Sequence, residues 1–329
     1  MDKKRILLVL NVIISLLLIA AILHVVGFSD VISSLSTLNI WYVALSMLFL
    51  LIMDLIMAFR VRLLLNHSGL EITYFEVLKS HIVGMLAADF TPARSGYLAT
   101  AGVLHYKYGV NSEKAMVSIL GPQIYDFALK LIVGTLAVIY ILFSFMNATD
   151  GWIIILGSFF MLIMLSTMIL LLFSRRFLSI FSFAERFPFI SKIFNMFKKM
   201  QETSYVVIDK TPQLLVLMLC SWTVKSLSWY FAAKAVGITL GTEFPEVLFY
   251  FFLQPLLTML EFMPSPTIAG LGLSEGGAAL IYSFFGISGA AAATFALLVR
   301  FKTTFVHLPA VPEAIATLRR RKSTPESQK

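Results

Sequence analysis

The sequence predicts an all-α polytopic membrane protein, and three observations predict it. Apolar residues make up 59% of the 329-residue chain and charged residues 13%, where a soluble domain carries about 45–50% and about 25%. Mean hydropathy is +0.88. Many apolar runs reach the roughly 20 residues that cross a hydrocarbon core as helix, whereas a β-barrel would show short alternating segments. There is room for about six full spans plus two re-entrant helical hairpins, or eight spans if the hairpins are scored as spans. Residues 1–322 read as a single transmembrane domain. Its first half is 1–173, a cytoplasmic connector is 174–212, and its second half is 213–322. The polar tail 323–329 reads as disordered.

Charge placement sets the expected topology. The net charge is +8, and in such a chain it bears on orientation and not on nucleic acid. MDKKR precedes an apolar run at 6–26, too long for a signal peptide core and without a convincing cleavage site. That run reads as span 1 with a cytoplasmic N-terminus. Residues 27–39 carry no Lys or Arg and should lie outside. Span 2 is expected at 40–59; it carries Asp54 and ends at Arg60 and Arg62. The next apolar stretch, 82–90, is too short to span and runs into Pro92, Arg94 and Gly96. Lys79, Lys107 and Lys114 flank it, so it reads as a hairpin entering and leaving on the cytoplasmic side. One short span is the competing reading.

Span 3 is expected at 116–143, with Asp126 and Lys130 on one face and able to pair. About ten residues at ~1.5 Å each put Asp126 roughly 15 Å deep, where a carboxylate should face the protein interior. The linker 147–151 should be outside, and span 4, 152–173, ends at Arg175 and Arg176. The connector mixes Phe with Lys and Arg, as a positive-inside loop or a helix lying on an anionic leaflet does. Span 5, 213–236, carries Lys225 between flanking tryptophans. Cys220 is the one cysteine, so no intrachain disulfide forms, and it reads as a packing residue.

The most unusual stretch is 261–302, EFMPSPTIAGLGLSEGGAALIYSFFGISGAAAATFALLVRFK. Prolines, glycines and Glu275 interrupt apolar sequence, and Arg300 and Lys302 lie inside the next run. Breakers and charges are costly in hydrocarbon unless protein or a watery cavity receives them. A second re-entrant hairpin, entering from outside, fits this pattern; a plain loop between spans is the bland alternative. The final run at 290–311 then delivers Arg319, Arg320, Arg321 and Lys322 to the cytoplasm. The two hairpins echo each other. PARSGY leads through Gly109-Val110 into span 3, and PTIAGL leads through Gly286-Ile287 into the last span. Inverted repeats with broken helices place transporter sites where the halves meet.

At these residues the chain resembles the lysylphosphatidylglycerol synthase transmembrane-region family of flippase-like integral membrane proteins. The matching features are Pro264 or Pro266, Gly270, Gly272, Glu275, Gly286 and Arg300, with Pro92-Ala-Arg-Ser-Gly96 in the first half. Tyr97 stands where the family often carries an acid, which weakens any acid role in the first hairpin. Asp126 matches a charged family position in the following helix. The resemblance implies movement of a lipid between leaflets. In two-part relatives a soluble domain attaches lysine to phosphatidylglycerol; here the sequence ends shortly after Lys322, so the stand-alone form without that domain is expected. Stand-alone relatives also accompany glycosyltransferases, which implies glycolipid or polyprenyl-phosphate cargo as well.

The leading expectation is therefore a lipid flippase or transporter in the cell membrane, with both termini cytoplasmic. Its partners are membrane lipids: a phospholipid, an aminoacyl-lipid or a polyprenyl-phosphate-linked lipid. The expected substrate or translocation residues are Arg94, Asp126, Glu275, Arg300 and Lys302, with Glu275 and Arg300 meeting in the fold. Pro92, Gly96, Pro264, Pro266, Gly270 and Gly272 are the expected hinges. Buried structural pairing is the alternative for the charged residues, and snorkelling for the lysines. A membrane-embedded enzyme on a lipid is the second reading. Against it, the five histidines are scattered and no HExxH occurs. GLGLSEGG also lacks the Lys and Ser/Thr of a phosphate-binding loop, so no cofactor, ATP or metal is expected. A non-transporting subunit that binds a partner is the third reading.

Overall fold

The computed structural model describes residues 28–145, 174–180, 204–241, 245–262 and 273–323, with isolated positions between 162 and 202. The expected spans at 6–26 and 152–173, the linker at 147–151 and most of the connector lie outside these residues. So do Pro264, Pro266, Gly270, Gly272 and the tail beyond Ser323. The described chain is helical. In order it forms α1 (Phe28–Ser36), α2 (Ile40–His67), α3 (Tyr74–Asp89), a 3-10 turn (Pro92–Leu98), α4 (Ala99–Tyr108) and α5 (Ser112–Phe145). Then follow α6 (Arg175–Ile180), α7 (Tyr205–Asp209), α8 (Thr211–Val236), α9 (Glu246–Phe262), α10 (Leu273–Phe284), α11 (Gly289–His307) and α12 (Val311–Ser323). Among the described residues, Ile40–His67, Ser112–Ala137, Thr211–Val236 and Gly289–Arg320 are long and apolar enough to cross a bilayer.

The expected elements reappear with shifted ends. α2 runs past Phe59 to His67, and both of its arginines find partners within protein. Arg60 meets Asp126, and Arg62 Nε donates to the Ile72 carbonyl at 3.1 Å. The stretch at 82–90 is the end of α3, which Glu76 starts by closing a capping box. Its carboxylate accepts from the Thr73 amide at 2.9 Å, while the Thr73 hydroxyl lies 3.4 Å from the Glu76 amide.

The chain divides into two compact units that interleave along the sequence. One holds 1–53, 84–97 and 222–311; the other holds 54–83, 98–221 and 312–329. In the first, α10 packs on α9 and α11, and α1 packs on α11. Phe295 is the hub of that core, with Trp229, Tyr250 and Tyr282 rings at 5.7, 6.4 and 5.3 Å. The alanines of the small-residue patch, Ala292 and Ala293, are buried inside this unit, so they serve internal packing. In the second unit, Leu64, Val117, Ile124, Val206, Val207 and Leu214 form one buried cluster.

The sequence echo between Gly109-Val110 and Gly286-Ile287 has a local structural meaning. Gly109 and Gly286 both stand at φ +70°, the left-handed region that ends a helix and favours glycine. In each case the next residue reaches back: Val110 N–H donates to the Leu104 carbonyl and Ile287 N–H to the Tyr282 carbonyl, both at 3.1 Å. The following polar residue then opens the next helix. Asn111 Oδ1 accepts from the Glu113 amide at 2.9 Å, and Ser288 Oγ accepts from the Ala291 amide at 3.3 Å.

Candidate functional site

Asp89 is the last residue of α3, and Thr91-Pro92 stops the helix there because the residue before proline is pushed out of the helical region. The chain then folds back tightly. Thr91 Oγ1 donates to the Ala87 carbonyl at 3.0 Å and accepts from the Gly96 amide at 2.7 Å. A Cβ on Gly96 would lie 2.3 Å from the Ala87 carbonyl carbon and oxygen, so only glycine allows this approach. The turn holds Arg94 at φ +52°, a left-handed conformation that costs a non-glycine residue roughly 1–2 kcal/mol. From that backbone, Arg94 Nη2 donates to Asp89 Oδ1 at 3.2 Å.

Asp89 Oδ2 accepts from His307 Nδ1 at 2.7 Å, so one carboxylate serves an arginine and a histidine. The histidine ring is completely buried. On α11, Ala296, Val299, Arg300 and Thr303 repeat at helical spacing and line one cleft. His307, seven residues after Arg300, shares their face. The wall of this cleft also holds Asp89, Arg94, Trp229, Leu257 and Glu275. Glu275 lies in the first turn of α10. Its Oε1 accepts from Arg300 Nη2 at 3.2 Å, with Arg300 Nε at 3.4 Å. Among the described residues, two guanidiniums and two carboxylates therefore face one space.

Depth distinguishes the partners. The Asp89 and Glu275 side chains are 3% and 4% exposed, whereas Arg94 and Arg300 are 13% and 19% exposed. The guanidiniums are the more accessible partner of each pair. That suits an oxyanion such as carboxylate or phosphate, because arginine offers paired N–H donors in a fixed fork. Among the described residues no group of three or more His, Cys, Asp or Glu side chains is placed to hold a metal ion.

The structure brings Arg94, Glu275 and Arg300 to one cleft and gives Lys302 and Asp126 partners of their own. Lys302 is two residues from Arg300, about 200° round a helix, and so projects from the opposite face. It is 1% exposed, and its ammonium donates to Ser46 Oγ at 2.6 Å, Ser228 Oγ at 2.6 Å and the Ser228 carbonyl at 2.9 Å. Three neutral oxygens thus satisfy its three N–H groups, and the lysine ties α2, α8 and α11 together. Asp126 belongs to the other unit. It receives Arg60 Nη1 and Nη2 at 2.8 Å each, where pairing with Lys130 was the sequence expectation. Lys130 Nζ lies 5.4 Å from the Phe127 ring centre. Of the expected hinges, Gly96 is explained by close approach, and Pro92 opens the 3-10 turn.

Asp89 and His307 were missed by sequence reasoning. Asp89 was absorbed in the apolar stretch at 82–90, and His307 in the final apolar run. A helical wheel drawn from Arg300 would have put His307 on the polar face; nothing in the sequence marked Asp89 as its partner. The buried pair of His81 Nε2 and Asp54 Oδ1, 3.2 Å apart in the other unit, was equally silent.

No curated protein matches the chain. A comparison with protein families matches residues 8–310 to the family described as Lysylphosphatidylglycerol synthase TM region. With nearly its whole length matched, the chain belongs to the Lysylphosphatidylglycerol synthase TM region family of helical membrane proteins.

Proposed function

We propose that the protein moves a phosphate-bearing lipid between leaflets, the headgroup passing through the cleft while the acyl chains stay in the bilayer. The observation that carries this reading is the pairing of two arginines with two more deeply buried carboxylates in the wall of one cleft. Arg94 and Arg300 bind the phosphate, and Asp89 and Glu275 balance them when the site is empty. The strained backbone at Arg94 supports the reading, because such strain collects at ligand sites. Family membership supports a role at lipids. The matching corners at Gly109 and Gly286 favour two related broken hairpins, re-entrant from opposite sides, in a cell-membrane protein with both termini cytoplasmic. The protein changes no covalent bond in its cargo, which is a phospholipid, an aminoacyl-lipid or a polyprenyl-phosphate-linked lipid.

The test is transbilayer movement in asymmetrically labelled liposomes carrying the purified chain, with anionic, zwitterionic, lysyl- and polyprenyl-phosphate lipids in turn. One class should equilibrate faster than in protein-free vesicles. If none moves, with or without a proton gradient or membrane potential, a partner-binding role replaces transport. A changed lipid mass would make the protein an enzyme.

A further inference from the structure

The apolar stretch Gly289–Arg320 is 32 residues long, more than one hydrocarbon core needs. α11 alone, with 19 residues, reaches about 28 Å and already has the length of a crossing. The 3-10 turn at Leu308–Ala310, with Pro309 in it, then interrupts the helix. The 13 residues of α12 carry Glu313 and the run Arg319-Arg320-Arg321-Lys322. Such charges are costly in hydrocarbon, so α12 is surplus to the crossing.

α12 has two unlike sides. On one, Glu313 and Arg320 hold to α4 of the same compact unit. Glu313 Oε1 accepts from Lys107 Nζ and, at 3.3 Å, from the Tyr108 hydroxyl, while Arg320 Nη1 donates to the Lys107 carbonyl at 3.2 Å. Thr317, between them on that face, is buried. Ile315 and Leu318, three apart, lie on the opposite side of the helix, and both are exposed. Arg319 beside them is exposed too. The one acid of α12 is thus paired inward, and the exposed apolar pair runs into four basic residues.

Single exposed apolar residues need no explanation. An apolar face joined to a cationic run, on a membrane protein, has the make-up of a helix lying in the interface plane, apolar side toward the acyl chains and cations among the phosphates. Charge selects the occupant, since four basic residues against one neutralised acid favour anionic over zwitterionic headgroups. We infer that α12 is a lipid site separate from the cleft: it lies along the leaflet surface, seats Ile315 and Leu318 at the acyl boundary, and gathers anionic phospholipid at Arg319 and the basic end of the helix. This lipid is a resident of the leaflet and not cargo, so the inference stands apart from the transport reading.

The test uses the full chain in a Cys220→Ser background, with a fluorophore on Ser323→Cys at the end of α12. It is reconstituted in phosphatidylcholine vesicles containing either phosphatidylglycerol or phosphatidylcholine spin-labelled near the top of one acyl chain. The label is in both leaflets from the start, so transport does not alter the readout. Quenching should need a lower mole fraction of labelled phosphatidylglycerol than of labelled phosphatidylcholine, and the difference should shrink in about 1 M salt. Arg319→Gln/Lys322→Gln should weaken that preference by about fivefold per cation removed. Arg175→Gln/Arg176→Gln, which takes the same charge from exposed residues elsewhere, should keep it. Ile315→Ser/Leu318→Ser should lower quenching by both lipids. Equal quenching by the two lipids in the wild type overturns the inference, as does no quenching by either. A preference that survives Arg319→Gln/Lys322→Gln, or that falls equally in Arg175→Gln/Arg176→Gln, puts the charge effect outside α12 and overturns the assignment. Unchanged quenching in Ile315→Ser/Leu318→Ser overturns the apolar contact.

Discussion

The two units use the same chemistry, an arginine against a carboxylate, to opposite ends. In one, Arg60 is the deeper partner: its side chain is 2% exposed against 12% for Asp126, and both contacts are 2.8 Å. In the other, Arg300 is 19% exposed over a Glu275 that is 4% exposed, with contacts of 3.2 and 3.4 Å to one oxygen. A short bidentate pair with its cation sealed inside is closed to a ligand. A longer pair with its cation on the cleft side can exchange carboxylate for phosphate. The presence of a buried ion pair is therefore weak evidence of function; which partner is deeper carries more.

The largest expected effect is in the sealed pair. Removing either side of it, Arg60→Ala or Asp126→Ala, strands a buried charge and should cost about 3–5 kcal/mol, read as a loss of unfolding free energy in detergent. If both variants unfold like the wild type, the pair is not the structural tie described here. Gly96→Ala comes next. The new methyl must push the turn off α3, at about 1–3 kcal/mol, and because Arg94 rides on that turn, lipid movement should fall further than stability does. An unchanged variant would mean the turn does not approach α3 as described.

The open pair should cost less. Glu275→Gln and Arg300→Ala are each expected to destabilise by less than either change at the sealed pair. Their double mutant should be less damaged than the sum, with a coupling of about 0.5–3 kcal/mol. Strict additivity would remove the direct contact.

The smallest effect lies at the start of α3. The Glu76 carboxyl is held below its ordinary 4.5, first by the Thr73 hydroxyl and then by the Thr73 amide. Because the folded value is the lower one, its contribution is complete above the ordinary value and is lost as pH falls through the folded value. Since Glu76 is only partly buried and its charge is screened by solvent, the step should be about 0.5 kcal/mol or less between pH 6 and 3. Glu76→Gln should abolish it; a wild-type stability flat over that range would show that the box contributes nothing.

Composition and apolar run length made the helical membrane class legible, and polar residues in apolar sequence pointed to Arg94, Glu275 and Arg300. Periodicity could also have separated Lys302 from Arg300, since residues two apart do not share a helical face. What stayed hidden were pairings between distant segments: Asp89 with His307, Arg60 with Asp126, and Lys302 with Ser46 and Ser228. Each joins residues from different helices, and nothing within either segment specifies the other. Gly96 was visible as a breaker, but its reason, the backbone of Ala87 at contact distance, exists only in the fold. Cytoplasmic labelling of a cysteine placed at Asn111, with outside labelling at Thr239, in a Cys220→Ser background, would support the re-entrant reading of the first hairpin. Outside labelling at Asn111 would remove it.

The central claim is that Arg300 serves the cargo and not the fold. It is tested most directly by the rate at which Arg300→Ala moves a phosphate-bearing lipid across asymmetrically labelled liposomes, alongside its unfolding curve. The account predicts a folded protein that has lost most of the wild-type rate, with Arg300→Lys keeping part of the rate but discriminating less among headgroups. A folded Arg300→Ala that moves the lipid as fast as the wild type would contradict it.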